Sequence, residues 1–109
     1  MKKSIIIILG EPNSISSEIF LKSLNYIKKI KLNFIIIGNY FLLERQANYL
    51  NLKININFNF SKVYNLKDEK FNFININYKH NKPFDLKSNK SDVFIKNCFD
   101  CAVHFLKKN

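Results

Sequence analysis

The chain has 109 residues, enough for one domain, with 47% apolar residues and 15% aromatics, all of them Phe or Tyr. That content excludes a disordered chain, because burial of so much apolar surface offsets the entropy of ordering. Its net charge of +10 raises nucleic acid as a partner, but the lysines are spread over every segment and Arg45 is the only arginine. A groove reader uses clustered Arg for bidentate base contacts, so nucleic acid is not an expected partner.

The first expected element is a strand over Ser4–Leu9, an apolar run closed by Gly10-Glu11-Pro12. Lys2-Lys3 ahead of it mimics the start of a signal peptide, but the run is shorter than the ~7–15 residues required. No other run approaches the ~18 apolar residues of a membrane span, so the expected location is the cytoplasm and the membrane is not an expected partner. A helix follows to about Lys29, with Ser14, Ser16 or Ser17 as its cap and Glu18 complementing its positive end. Ile15, Ile19, Phe20, Leu24 and Ile27 form its apolar stripe at three- and four-residue spacing.

Asn33–Gly38 reads as a strand buried on both faces, since its apolar run is continuous. A second helix spans about Tyr40 to Asn51. From Ile54 the period changes to two, predicting a strand over Ile54–Phe60 with the asparagines on a wet face. Phe71–Tyr78 is a further strand whose alternation slips at Phe73-Ile74, which suggests a bulge. After a loop containing Pro83, a helix from about Ser91 carries Ile95, Cys98, Phe99, Ala102, Val103 and Leu106 as its stripe. The expected architecture is α/β: a single unit over residues 1–109 with a largely parallel sheet and flanking helices. Strand-helix alternation predicts another parallel strand after the last helix, so the chain reads as an incomplete N-terminal portion of a longer protein.

Cys98-x-x-Cys101 has the spacing of a redox or metal motif, but it falls in mid-helix on or beside the apolar stripe, so packing is the better account. The two cysteines agree with a reducing compartment. His80 and His104 stand alone, no second Cys or His pair has zinc-site spacing, and no metal site is expected. Gly10-Glu11-Pro12 reads locally as a strand end, a stiffened turn and a helix start that need no ligand.

The segment GEPNSISSEIFLKSL resembles the N-terminal Gly-Asp/Glu-Pro-Ala-Gly-Ile-Gly-Pro-Glu-Ile motif of the 4-hydroxythreonine-4-phosphate dehydrogenases of pyridoxal phosphate biosynthesis. Gly10, Glu11, Pro12, Ile15, Glu18, Ile19, Leu21, Lys22 and Leu24 match in register, while family glycines fall on Ser14 and Ser16 and the family proline on Ser17. NFIIIGNYFLLERQANYLNL and CFDCAVHFLKK resemble later parts of the same family, so the likeness covers essentially the whole chain.

The resemblance implies the front part of an isocitrate/isopropylmalate-dehydrogenase-like two-domain fold. It implies an NAD-dependent oxidation of 4-phosphooxy-L-threonine, a phosphorylated hydroxy amino acid, aided by a divalent metal ion, in a homodimeric cytoplasmic enzyme. Gly10, Glu11, Pro12 and Glu18 form the family turn and are the candidate cofactor-binding residues. The family's metal-binding histidines lie beyond the position of Asn109, so no catalytic and no metal residue is assigned. The chain alone is expected to be inactive and to bind neither NAD nor metal. The alternative from another class is a non-catalytic basic α/β module for anionic ligands or RNA.

Overall fold

Asn33–Gly38 (β2) decides the architecture, because its Phe34 and Ile36 point to one face of a sheet and its Ile35 and Ile37 to the other, and all four are buried. A strand apolar on both faces needs a layer on each side. A computed structural model describes residues 4–10, 12, 16–62, 66, 68–80, 82–84 and 89–108. Its other elements are β1 (Ser4–Ile8), α1 (Ser16–Ile27), α2 (Tyr40–Tyr49), β3 (Asn59–Phe60), β4 (Phe71–Asn75) and α3 (Asn89–Lys108). The four strands form one all-parallel sheet in the order β1-β2-β4-β3.

One face carries α1 and α2. Phe20, Leu24 and Ile27 of α1 and Leu43 and Ala47 of α2 pack with Phe34, Ile36, Ile56 and Phe73. The other face carries α3, where Phe94, Cys98, Cys101, Ala102 and Phe105 cover Ile35, Ile37 and Ile74. Phe73, fully buried, is worth roughly 1.5–3 kcal/mol by area alone. It meets Tyr40 edge-on at 5.5 Å and Phe58 at 5.3 Å between ring centroids.

The sheet bears out the expected α/β class and its parallel strands, and it corrects four details. In α1, Ile19 is exposed, whereas Ser17 and Leu21 face the sheet. The predicted strand over Ile54–Phe60 alternates in burial only as far as Phe58, Asn59 then being half-buried and Phe60 exposed, and only Asn59 and Phe60 are laddered, to Asn72 and Phe73. No bulge interrupts β4, which pairs with β2 in unbroken register from Phe34↔Phe71 to Gly38↔Asn75. Its alternation slips because Asn72, Phe73 and Ile74 are all buried in an interior strand. The fourth correction is the register of α3: Phe94 and Phe105 face the core, while Phe99, Val103 and Leu106 are exposed.

Candidate functional site at the carboxyl end of the sheet

Ligands of parallel sheets bind outside the carboxyl ends of the strands, so the site is built from what lies there. The ladder of β1 continues one residue past the strand, with Leu9 N–H donating to Ile37 O at 2.9 Å. Gly10 then turns the chain with φ of 70°. That left-handed conformation costs an L-residue with a Cβ roughly 1–2 kcal/mol, which accounts for Gly at the turn. Pro12 is buried beyond it, and α1 begins at Ser16.

The end of β2 is fastened by asparagines. Asn39 caps α2, its Oδ1 accepting from Leu42 N–H at 3.0 Å, and its Nδ2 donates to Ile76 O at 2.8 Å. Asn75 at the end of β4 accepts from Tyr40 N–H at 2.8 Å. Orphan amides of the α2 N-terminus are thus taken up by side chains of this chain.

Gln46 ties the site together. Only 1% exposed, it donates from Nε2 to Pro12 O and to Pro83 O, each at 2.8 Å, and so joins the turn after β1 to the loop after β4. The cavity left between Gly10, Pro12, Ser17, Asn39 and Gln46 is about 10 Å³, on the scale of one water molecule. A larger hollow of about 380 Å³ lies beside it, between Asn77–Lys79 and the first turns of α3.

Of the sequence-predicted site residues, Gly10 and Pro12 sit at this end, whereas Glu11 and Ser14 lie outside the described residues. Glu18 is on the first turn of α1, where it pairs with Lys22 at 2.8 Å. Among the described residues, no group of three His, Cys, Asp or Glu side chains is placed to hold a metal ion. His80 follows β4 and stacks on Tyr78 with ring centroids 6.0 Å apart, while His104 is exposed on α3.

Cys98 and Cys101 are free thiols on the buried face of α3. Burial, aided by Cys101, pushes the Cys98 thiol up to about 12, and burial also raises Cys101. Thiols held protonated in this way are poor nucleophiles and poor metal ligands. Burial likewise raises the Tyr40 phenol, with the Glu44 carboxylate adding to it.

Exposed lysines lie along the outer faces of the helices, as Lys22 and Lys96 do, and at both ends of the sheet. Lys28, Lys29 and Lys31 stand before β2, beside Lys70, whose Nζ donates to Lys28 O; Lys79, Lys82 and Lys90 stand beyond the carboxyl ends. No helix among the described residues is long and apolar enough to cross a membrane.

Sequence reasoning missed Asn39, Gln46 and Asn75. Asn39 had a visible signal, a capping residue between a strand-ending Gly and a helix. Gln46 had one too, since it falls on the apolar face of α2 with Leu42, Leu43 and Ala47, where a polar residue must find partners. No protein-family model matches this sequence, and no curated protein matches it with significant similarity.

Proposed function

We propose that this chain is the N-terminal portion of an NAD-dependent dehydrogenase of the 4-hydroxythreonine-4-phosphate type, acting in pyridoxal phosphate biosynthesis. The carrying observation is the position of Gly10. It stands at the carboxyl end of a parallel strand with φ of 70°, followed by a buried Pro12 and then α1, where the resembling Gly-Glu-Pro motif needs its turn. The all-parallel sheet with helices on both faces is compatible with an isocitrate/isopropylmalate-dehydrogenase-like domain.

The described residues do not fit the cofactors themselves. They bring together no metal-ligating group, and the turn after β1 is closed against Gln46 with room for one water. The role of this unit is therefore structural: it sets the turn after β1 in place, and the ligands for NAD, the divalent metal and 4-phosphooxy-L-threonine come from elsewhere in the homodimeric cytoplasmic enzyme. Lysines at both ends of the sheet favour this reading over a basic module for anionic ligands or RNA, which calls for one positive face.

The test is an NADH-formation assay with 4-phosphooxy-L-threonine and a divalent metal, run on the product of the complete reading frame and on residues 1–109 alone. Turnover by the former and none by the latter is expected. A complete product that neither turns over nor binds this substrate would end the proposal.

A further inference from the structure

Beyond the carboxyl end of β4, a hollow of about 380 Å³ opens between two walls, residues 77–79 on one side and the flank of α3 with Lys90, Val93 and Asn97 on the other. Its floor is Phe94, only 3% exposed, whose ring meets that of Tyr78 at 4.8 Å between centroids. The volume falls within the ~300–1,000 Å³ of sites that enclose a small organic ligand.

The first wall is fastened at both ends. Ile76 N–H donates to Gly38 O at 2.7 Å, and Ile76 O accepts from Asn39 Nδ2 at 2.8 Å. Two residues past Tyr78, His80 O accepts from Arg45 Nη1 at 3.3 Å, and the His80 ring lies within 20° of parallel to that of Tyr78. Phe94 fixes the second wall by packing with Ile37 and Ile74 in the core. A hollow held in shape by its own chain loses little freedom when a ligand enters.

The lining joins two kinds of surface. Tyr78, Val93 and Phe94 present ring and alkyl carbon, while Lys79 and Lys90 bring one ammonium from each wall. Among the described residues that line the hollow there is no carboxylate to neutralise them. Lys96, further along α3, is by contrast paired with Asp100 at 2.9 Å. Aromatic walls favour a flat apolar body, and the lysine pair favours an anion attached to it.

We propose that this hollow binds a small aromatic acid, its ring against Tyr78, Val93 and Phe94 and its carboxylate or phosphate between Lys79 and Lys90. The ring sets this ligand apart from 4-phosphooxy-L-threonine, which has none. The site uses residues to which the proposed activity assigns no role, so either reading can fail without the other. A local pair of lysines suffices, and no continuous positive face is called for.

Titration of the isotope-labelled 109-residue chain, read by amide chemical shifts, tests the site with four probes: 2-naphthoate, 2-naphthyl phosphate, neutral 2-naphthol and inorganic phosphate. At least one aromatic anion is expected to saturate with a dissociation constant below ~1 mM and to move the amides of residues 77–79 and 90–97. It should bind about fivefold or more tighter than naphthol or inorganic phosphate. The tighter of the two aromatic anions identifies the acid group. Lys79→Gln and Lys90→Gln, both at exposed positions, should each weaken binding about threefold. Val93→Glu, which sets a carboxylate beside the anion, should weaken it about tenfold, and Lys107→Gln near the other end of α3 should leave it unchanged. Failure of both aromatic anions to saturate overturns the proposal. So do shifts centred on Phe99 and Leu106, naphthol binding as tightly as the anions, or equal sensitivity to Lys107→Gln.

Discussion

Leu9 occupies the space that a side chain at position 38 would need: a Cβ built on Gly38 would stand 2.7 Å from Leu9 Cδ1. The end of β2 thus closes against the residue that leads β1 into its turn. Gly10 is required for a different reason. Among the described residues, a Cβ there would come no nearer than 3.6 Å to an atom outside its neighbours, Ser16 Oγ, so φ of 70° is the constraint.

The two glycines should therefore respond oppositely to asparagine, the residue that best tolerates positive φ. Gly38→Ala is expected to cost roughly 1–3 kcal/mol by overpacking, and Gly38→Asn more. Gly10→Ala should cost about 1–2 kcal/mol, with Gly10→Asn recovering part of the loss. Urea denaturation reads each value. Adding Leu9→Ala to Gly38→Ala should give less than the sum of the single losses, by ~0.5–3 kcal/mol of coupling.

Gln46→Met keeps the volume but removes both hydrogen bonds to Pro12 O and Pro83 O. Leaving buried carbonyls unsatisfied should cost about 1–3 kcal/mol. The loop around Pro83 should become the site of faster proteolytic cleavage in native conditions. Equal loss of stability without any change in cleavage would mean that Gln46 does not fasten that loop.

The thiols make stability fall at alkaline pH. In the unfolded chain a thiol ionises near ~8.5, while Cys98 in the folded chain is held up to about 12. The unfolded chain therefore releases its proton first, so the contribution is complete below pH ~8.5 and is lost as pH rises toward about 12. Denaturation curves across that window should slope less steeply for Cys98→Ala than for the native chain. At neutral pH both thiols should resist a disulfide reagent until the chain is unfolded.

The register of α3 separates two phenylalanines of identical chemistry. Phe105, 6% exposed, should cost about 3–5 kcal/mol on replacement by Ala. Phe99, 52% exposed, should cost under ~1 kcal/mol in the isolated chain. Cys101, 8% exposed on the buried face, should tolerate Ala at small cost because the volume change is small. Reversal of the Phe pair in thermal denaturation would disprove the packing of this helix.

Most elements were legible from hydrophobic pattern, and the misreadings share one cause. In α3 apolar residues occupy more than half the circumference, so several stripes fit; Phe94 and Phe105 hold the core because the arc also containing Cys98, Cys101 and Ala102 is the one that meets β2. In Ile54–Phe58 the alternation reported which side chains are buried, but Phe60 is exposed, and the ladder needs a neighbouring backbone, which β4 offers only to Asn59 and Phe60. The slip at Phe73-Ile74 reported burial on two faces. At the site, the Gly10 turn was visible as local chemistry, whereas the Gln46 bonds to Pro12 and Pro83 join residues more than thirty positions apart, which no local pattern encodes.

Strand β4 lies between β2 and β3 although β3 comes earlier in the chain. The native ladder of β3 therefore has no partner until the later segment has been made, so this edge of the sheet depends on residues more than ten positions further along the chain. Side chains reinforce that short ladder, as Asn72 Oδ1 accepts from Asn59 Nδ2 at 2.8 Å and from Ser61 Oγ at 3.2 Å.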